Sequence, residues 1–311
     1  MSHDIITITL APCIDKSTVV EKFVPEKKLK CTYPLYEAGG GGINVSRALR
    51  NFNLNSLCVF ISGGYTGVLL NQMIHHLHIP YVSVPSRHYT RENFIVFENQ
   101  THLQFRFGMP VNPCQPQEWK QVLNEIANSN PKFIVLSGSI NEDISPDFYS
   151  KLYQLVKRNN AKLIVDSAGK PLKQIIKSGA FLIKPNQTEF SQLFGSKQLT
   201  IPQLKAQAKA IINRKKIENI IISLGDKGAL FVSIEKSIHF MPPKLIVKST
   251  VGAGDTMVAG IIYSLMNNEP IEEACKFGVA SGSATIINKG MQLGTLKDAK
   301  KIHKLISQKE L

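Results

Sequence analysis

Six short apolar runs, most of them rich in β-branched residues, alternate with amphipathic segments along most of the chain. The runs read DIITITL, LCVFI, KFIVL, KLIVD, AFLIK and NIIISL, and runs of this length are typical of strands buried on both faces. Between them apolar residues recur at helical spacing, as in Val45, Ala48, Leu49 and Phe52. The alternation predicts an α/β fold in which a mostly parallel sheet is flanked by helices.

Two segments, at about 16–38 and 88–108, interrupt this alternation because they contain strand patterns without helices. In the second, FIVFE and LQFRF flank the turn-like NQTH and predict a β-hairpin. Alternation places Leu103, Phe105 and Phe107 on one face of it. A few strands are not stable alone, so we expect a small β-sheet lid, inserted in two pieces into one domain spanning 1–311, that can close over a site.

Four consecutive glycines occur in GGGGIN, residues 39–44, directly before an amphipathic helix. Glycine costs backbone entropy but lets a ligand approach the chain, and the N–H groups at a helix start can face that ligand. Asn44 offers both a donor and an acceptor, which suits sugar hydroxyls. The alternative is a flexible connector, although no Ser or Pro accompanies the glycines.

A second glycine cluster, STVGAGDTMVAG at 249–260, precedes an apolar helix. Gly252, Ala253 and Gly254 would present free N–H groups and the helix dipole to an anion, with Asp255 in the first turn. This arrangement suits phosphoryl transfer, in which the N–H groups stabilise charge and the carboxylate accepts a proton from the attacking hydroxyl. The alternative is that Asp255 only caps the helix.

A motif that fits an ATP–Mg²⁺ site is KPNQTEF, which places Lys184, Asn186 and Glu189 just after a strand. Asn186 and Glu189, three residues apart at a helix start, could bind Mg²⁺ or its waters through oxygen atoms. The same two residues could instead form a helix cap.

A further nucleotide-site candidate is SLGDKGAL, with Ser223, Gly225 and Gly228 at the end of a strand. Ligands gather at such carboxyl ends in open α/β sheets, but a plain hairpin turn would have the same composition. The sequence contains no G-x-x-x-x-G-K-[ST], G-x-G-x-x-G or H-R-D motif, which argues against a P-loop NTPase, a dinucleotide-binding protein and a protein kinase.

Composition limits the remaining classes. The 311 residues are 43% hydrophobic, enough for a large core, and the net charge is +14. Because the basic residues occur in short interrupted pieces, we expect a solvated basic surface that attracts small anions rather than a nucleic-acid site. The five scattered cysteines favour a reduced, cytoplasmic protein. We see no signal peptide and no apolar run of the roughly 20 residues that a membrane span needs.

The motifs TLAPCID, GGGGINVSRAL, TREN, IVDSAG, KPNQTE, SLGDKGA, STVGAGDTMV and ASGSATIINKG, in this order, resemble the ribokinase-like (PfkB-type) carbohydrate kinases, with the 6-phosphofructokinases of that family most similar. The resemblance covers nearly the whole chain. It implies a three-layer ribokinase-like fold with a β-sheet lid that often forms a homodimer contact. It also implies Mg²⁺ with ATP, and in many members a monovalent cation such as K⁺.

The resemblance also implies residue roles. Asp255 would be the catalytic base, with Gly252, Ala253 and Gly254 as the anion hole. The residues expected to hold the sugar hydroxyls are Asp15, Gly40, Gly41 and Asn44. The sugar phosphate would contact Lys28 and Arg91. The residues expected on the nucleotide side are Lys184, Asn186, Glu189, Ser223, Gly225 and Asn288.

One loop departs from the family pattern. Where the family has SGSLPPG, this chain has SGSINED at 137–143, so Asn141, Glu142 and Asp143 replace a stiff Pro-Pro-Gly. The change leaves Ser139 as a candidate sugar contact but adds negative charge near the sugar, which bears on sugar specificity.

The leading hypothesis is a kinase that transfers the γ-phosphate of ATP to the 1-hydroxyl of fructose 6-phosphate, giving fructose 1,6-bisphosphate, a step of glycolysis. The same chemistry on tagatose 6-phosphate or fructose 1-phosphate is the alternative. A hypothesis of another class is a non-catalytic sugar-phosphate sensor that binds nucleic acid through its basic surface. A sensor would be expected to have lost the base, whereas Asp255 and its loop are intact.

Overall fold

The computed structural model describes residues 3–142, 144–214, 216–288, 290 and 292–311. Within them lie fourteen strands in two sheets. The strands are β1 Ile5–Thr9, β2 Cys13–Val20, β3 Leu35–Gly39, β4 Leu57–Ser62, β5 Tyr81–Pro85, β6 Arg91–Glu98, β7 Gln104–Phe107, β8 Phe133–Ser137, β9 Lys162–Asp166, β10 Ala180–Ile183, β11 Ile217–Ser223, β12 Ala229–Val232, β13 Ser237–Met241 and β14 Ser307–Glu310.

Helices connect these strands over the same described residues. They are α1 Gly41–Asn51, α2 Gly64–His76, α3 Pro116–Ala127, α4 Pro146–Arg158, α5 Gly169–Ser178, α6 Gln187–Gln192, α7 Ile201–Ile212, α8 Ala253–Met266, α9 Ile271–Ile286 and α10 Leu296–His303. In that described part of the chain, no helix combines the length and apolar character needed to cross a bilayer.

The large sheet has ten strands in the order β14-β13-β12-β11-β10-β9-β8-β1-β4-β5. The seven strands from β11 to β5 pair in parallel, as the alternating pattern predicts. The strands β12, β13 and β14 extend one edge in antiparallel pairing, which the alternation did not predict. The predicted α/β fold is confirmed.

Helices cover both faces of this sheet. Successive side chains of a strand point to opposite faces, so alternate residues of each strand contribute to two separate cores. Ile134 belongs to the core that also contains side chains of α3, α4, α5 and α7. Its neighbour Val135 belongs to the core on the other face, together with side chains of α1, α8, α9 and α10. The result is three layers, with α1 and α8 on the same side of the sheet.

The second sheet has four strands in the order β3-β2-β6-β7. The predicted hairpin is confirmed, since β6 and β7 pair antiparallel with Val96 opposite Phe105. Phe105 stacks on Phe23, with ring centroids 4.6 Å apart. Phe105 and Phe107 lie on one face of β7 by alternation, and Leu103 lies just before the strand and is exposed.

Strand register places side chains of the small sheet in rows. Glu37, Asp15 and Asn93 are direct neighbours across β3, β2 and β6. The next row along the strands, which points to the opposite face, contains Tyr36, Lys16, Phe94 and Phe107. One face therefore carries the polar row and the other an aromatic row around a lysine.

Candidate active site

The two glycine clusters meet, although 211 residues separate their central side chains. The Nδ2 atom of Asn44, in α1, donates to Oδ2 of Asp255, in α8, at 3.0 Å. The Oγ of Ser137, at the end of β8, lies 3.4 Å from Oδ1 of Asp255. Each carboxylate oxygen thus has a donor from a different element.

The glycines before and within the first turn of α1 leave room for the protein's own backbone. A Cβ atom at Gly41 would lie 2.5 Å from the amide nitrogen of Gly138. One at Gly42 would lie 2.6 Å from the carbonyl oxygen of Ile8. Both glycines are buried, so the cluster is tightly packed and is not a flexible connector.

The start of α8 is shaped by Gly252, which adopts the left-handed conformation with φ 75°, a region that favours glycine. A side chain there would collide with Leu293. The first N–H groups of any helix have no acceptor inside the helix. The amide of Ala253 reaches only the carbonyl of Thr250, at 3.4 Å, so the first turn of α8 can offer N–H groups to an anion.

Burial, and then the nearby Asp166 carboxylate, raise the pKa of Asp255 to about 6, while Asn44, Lys184 and Ser137 act in the opposite direction. A carboxylate with this pKa is mostly ionised at neutral pH and is a stronger proton acceptor than an ordinary aspartate. That property suits a general base.

Asp166 and Lys184 form a largely buried ion pair beside Asp255, with Oδ2 and Nζ 3.0 Å apart. Burial alone would lower the pKa of Lys184, but Asp166, Asp255 and Glu189 more than offset this and raise it. A Cβ atom at Gly254 would lie 3.2 Å from Nζ of Lys184, so the pair packs directly against the proposed anion hole.

Asp166 and Ser137 are site residues that the sequence analysis missed. Both occupy the last position of a buried parallel strand, β9 and β8. A polar residue at the carboxyl end of such a strand is a usable signal, because those ends line the ligand crevice of open α/β sheets.

On the proposed sugar side, Asp15 accepts a hydrogen bond from Nδ2 of Asn93 at 2.8 Å and one from the Cys13 thiol at 3.4 Å. Burial raises the pKa of Cys13, so this thiol stays protonated and can donate. Asn93 was also missed, although its position two residues after Arg91 on the same strand puts it on the same face.

Arg91 is the first residue of β6, and its guanidinium donates hydrogen bonds to two backbone carbonyls. Its Nη1 donates to the carbonyl of Met109 at 2.9 Å, and its Nη2 donates to that of Ala11 at 3.3 Å. The Nε atom is buried and has no hydrogen-bond partner among the described residues. The guanidinium is therefore held at the junction of the two sheets.

Lys28, in the loop between β2 and β3, is exposed. Ser139, just after β8, is exposed as well. Neither forms a hydrogen bond or ion pair with any residue that the structure describes. In the loop that departs from the family pattern, Glu142 pairs with Lys170 at 3.3 Å, and Asp143 lies outside the described residues.

On the proposed nucleotide side, Asn186 and Glu189 form a capping box at the start of α6. The amide of Glu189 donates to Oδ1 of Asn186, and the amide of Asn186 donates to Oε2 of Glu189, both at 2.8 Å. Burial, and to a smaller extent Asp166, raise the pKa of Glu189. In the parts of the chain that are described, no three His, Cys, Asp or Glu side chains cluster closely enough to hold a metal directly.

This donor set fits Mg²⁺ bound through water. The capping box uses Oε2 of Glu189, and Mg²⁺ usually keeps several waters and uses one or two carboxylates together with substrate phosphates. Glu189 supplies one carboxylate and Asn186 its amide at the same helix start.

The turn after β11 has a structural role. Gly228, with φ 88°, has no room for a side chain because one would collide with the carbonyl of Phe240. The turn joins β11 to antiparallel β12, as expected for a hairpin. Gly225, in the same turn, has open space where a Cβ atom would lie. The backbone amide of Ser223 donates to the carbonyl of Pro185 at 3.0 Å. Farther along the chain, Nδ2 of Asn288 donates to the carbonyl of Ala284 at 3.2 Å.

Comparison with known proteins agrees with this geometry. A family model described as "pfkB family carbohydrate kinase" matches residues 3–298. The chain belongs to this family. It is 36% identical to the ATP-dependent 6-phosphofructokinase isozyme 2 of Escherichia coli K12, over 98% of this chain and 99% of that protein.

Other family relatives extend the comparison. The 1-phosphofructokinase of Borreliella burgdorferi is 32% identical, over 98% of this chain and 97% of that protein. The crystal structure of Escherichia coli phosphofructokinase-2 in complex with potassium superposes with a TM-score of 0.92 at 35% identity, covering 98% of this chain and 99% of that one. The chain is thus a carbohydrate kinase with the ribokinase-like fold, a phosphotransferase whose acceptor is a sugar hydroxyl.

Proposed function

We propose that the protein is an ATP-dependent phosphosugar kinase that transfers the γ-phosphate to the 1-hydroxyl of fructose 6-phosphate, giving fructose 1,6-bisphosphate for glycolysis. The observation that carries the proposal is the environment of Asp255, an aspartate with a raised pKa in the first turn of α8, held by donors from α1 and β8. The 36% identity to a 6-phosphofructokinase over nearly the whole chain favours fructose 6-phosphate.

In this proposal Asp255 accepts the proton of the attacking hydroxyl. Asn44 and Ser137 hold its two oxygens, so the carboxylate is oriented before the substrate binds. The N–H groups of Gly252, Ala253 and Gly254 face the transferred phosphoryl group and stabilise its charge without reorganising.

The remaining sugar-side residues bind substrate. Asp15, Gly40, Gly41 and Asn44 surround the sugar hydroxyls, and Ser139 reaches the sugar from the loop after β8. Lys28 and Arg91 supply positive charge to the 6-phosphate, which does not react. Lys28 would reach it from the exposed loop between β2 and β3.

The nucleotide side is proposed to consist of Lys184, Asn186, Ser223, Gly225, Gly228 and Asn288. Asn186 and Glu189 would hold Mg²⁺ through water, and the ion would neutralise charge on the ATP phosphates. A monovalent cation such as K⁺ is proposed from the potassium complex of the Escherichia coli relative.

The proposal is tested by a coupled ADP-release assay with ATP and Mg²⁺ on a panel of sugars. The panel contains fructose 6-phosphate, fructose 1-phosphate, tagatose 6-phosphate and the free hexoses. We expect the highest kcat/KM for fructose 6-phosphate. Equal or higher kcat/KM for another sugar would overturn the choice of substrate.

The runner-up is a 1-phosphofructokinase, which the 32% identity to the Borreliella burgdorferi enzyme favours. Fructose 1-phosphate as the best sugar in the panel would establish it. The sensor hypothesis predicts a different result, namely calorimetric binding of a sugar phosphate without ADP release from any sugar.

We also propose a cytoplasmic homodimer formed through the small sheet. The observation behind the homodimer is the row of Tyr36, Phe94 and Phe107, each about two-fifths exposed on one face of that sheet. Contiguous exposed aromatic surface is a common mark of an interface.

A further inference from the structure

A chain of side-chain contacts joins the small sheet to Asp255. Oε1 of Glu37, in β3, accepts from Nη2 of Arg47 at 3.2 Å. Nη1 of Arg47 donates to Oδ1 of Asn44 at 3.1 Å, and Nδ2 of Asn44 donates to Oδ2 of Asp255 at 3.0 Å. The contacts run from β3 through α1 to α8.

The chemistry of each group fixes which atom donates and which accepts at each of these contacts. A guanidinium can only donate hydrogen bonds, and a primary amide has one acceptor end and one donor end. With its oxygen held by Arg47, Asn44 must turn its NH₂ group toward Asp255. If the amide flipped, its oxygen would face the carboxylate, and two acceptors would meet without a proton between them.

Arg47 is itself held in place by β3. Besides the pair with Glu37, its Nη1 lies 3.2 Å from the carbonyl oxygen of Ala38. The two side chains of the ion pair are only 15% and 27% exposed, so solvent screens the pair incompletely. Glu37 lies directly opposite Asp15 in the strand register, in the polar row of the small sheet.

We propose that Arg47 is a positioning residue of the active site, which holds the amide of Asn44 toward Asp255 and ties that contact to the position of β3. The proposal rests on the proposed function in taking Asp255 as the base. In addition, a displacement of β3 would be transmitted to Asp255 through the side chains of Arg47 and Asn44.

The consequence for pH follows from the groups that face Asp255, namely Asn44 from α1, Ser137 from β8, Asp166 from β9 and Lys184 after β10. Burial and Asp166 raise the pKa of Asp255, and the donors Asn44 and Ser137, with the Lys184 charge, lower it. If the Asn44 donor is lost, the pKa rises further. A larger fraction of the base is then protonated at a given low pH, and activity falls there first.

The test compares Arg47→Met with Arg50→Met. Arg50 lies on the same helix, and its Nη1 also binds a backbone carbonyl, that of His78 at 2.7 Å, but it does not touch Asn44. We expect Arg47→Met to lower kcat by roughly 10-fold to 100-fold, the order of loss for a misplaced catalytic group. The KM for ATP should stay near wild type, and the acid limb of the kcat–pH profile should move to higher pH. Arg50→Met should leave kcat and the acid limb unchanged.

A wild-type acid limb in Arg47→Met, or equal effects of the two variants, would overturn the proposal. If Arg47→Met does not fold, Arg47→Lys and Glu37→Gln replace it. Lysine keeps the charge but lacks the fork that reaches β3 and Asn44 together, and the second change weakens the anchor. Both variants should move the acid limb to higher pH, by less than Arg47→Met would. If the acid limb stays at its wild-type position in both variants, the proposal is overturned.

A second measurement does not depend on kinase activity. The side-chain amide signal of Asn44 in a ¹⁵N spectrum, identified by its absence in Asn44→Ala, should shift with pH as Asp255 titrates. The shift should persist in Arg50→Met and disappear in Arg47→Met. A protein that shows this pattern but phosphorylates no sugar would refute the proposed function alone. An unchanged shift in Arg47→Met would refute the role of Arg47 alone.

Discussion

At the scale of single residues, Asp255 combines two opposing influences. Burial and the neighbouring Asp166 make its charged form less favourable, and donors from α1 and β8 compensate only in part. The raised pKa makes the carboxylate a better proton acceptor, and the donors keep it oriented. A raised pKa is what the proposed role as base requires, whereas the N–H groups and dipole of a helix start lower the pKa of a carboxylate that only caps it.

Asp255→Asn keeps the shape of the side chain and removes its ability to accept a proton. We expect kcat to fall by at least the roughly 10²–10⁴-fold that general acid–base catalysis contributes. The affinity for ATP should be almost unchanged, because in the proposed mechanism the side chain contacts the acceptor hydroxyl. Steady-state kinetics with ATP binding measured by calorimetry checks this, and near-normal turnover would mean that Asp255 is only a cap.

The same substitution should change stability in a pH-dependent way. Folding raises the pKa of Asp255 from 3.8 to about 6, so the wild-type chain loses stability as the pH rises through this window. Asp255→Asn should therefore melt at a higher temperature than wild type above pH 6, and the difference should vanish below pH 3.8. Thermal melts across this range test it, and a difference that does not depend on pH would contradict it.

At the scale of elements, the active site depends on how closely α1 approaches the loop after β8. Gly41 has no positive φ, so its backbone conformation would accept another residue. Glycine is required at this position because an added Cβ atom would lie too close to the backbone of Gly138. The same close approach places Asn44, one turn later, within reach of Asp255.

Gly41→Ala should therefore destabilise the protein by about 1–3 kcal/mol, the usual cost of overpacking where the neighbour is backbone. It should also lower kcat, since α1 must move away from β8. Gly108→Ala is the stability control, because Gly108 also lacks a positive φ and has no atom within 4 Å of the added Cβ. Chemical denaturation measures both, and equal stability of the two variants would contradict the packing argument.

At the scale of the whole molecule, the small sheet has one face that its own chain leaves partly uncovered. The aromatic row on that face surrounds Lys16, whose Nζ lies 5.0 Å from the ring centre of Tyr36 and 5.8 Å from that of Phe94. Phe105 is less available, because it stacks on Phe23. Contact between two copies of the row would cover it and would link the sheets of two active sites.

Phe94→Asp places a charge in this row and should dissociate the proposed homodimer. We expect light scattering to show a dimer for wild type and a monomer for the variant, with a raised KM for the phosphosugar. Tyr65→Asp is the matched control, because Tyr65 is an aromatic residue of α2, 84% exposed and outside the small sheet. A Phe94→Asp protein that stays dimeric would place the interface elsewhere, and a monomeric wild type would refute the homodimer.

The sequence by itself determined those features whose cause is local. The β-branched runs predicted the parallel strands, the i, i+3, i+4, i+7 spacing predicted helices such as α1, and the FIVFE–LQFRF pattern predicted the β6–β7 hairpin. These follow because strand and helix periodicities are written within a few neighbouring residues. The position of Asp255 in the first turn of its helix could be predicted for the same reason.

Only the tertiary structure decided which side chains meet. Asp255 is 118 residues from Ser137 and 211 from Asn44, and no local pattern encodes a contact across such a distance. Arg47 reads in the sequence as one more surface charge on α1, and only the approach of β3 gives it Glu37 as a partner. The antiparallel edge from β12 to β14 was likewise undetermined, because an apolar run has the same pattern whichever way its neighbour runs.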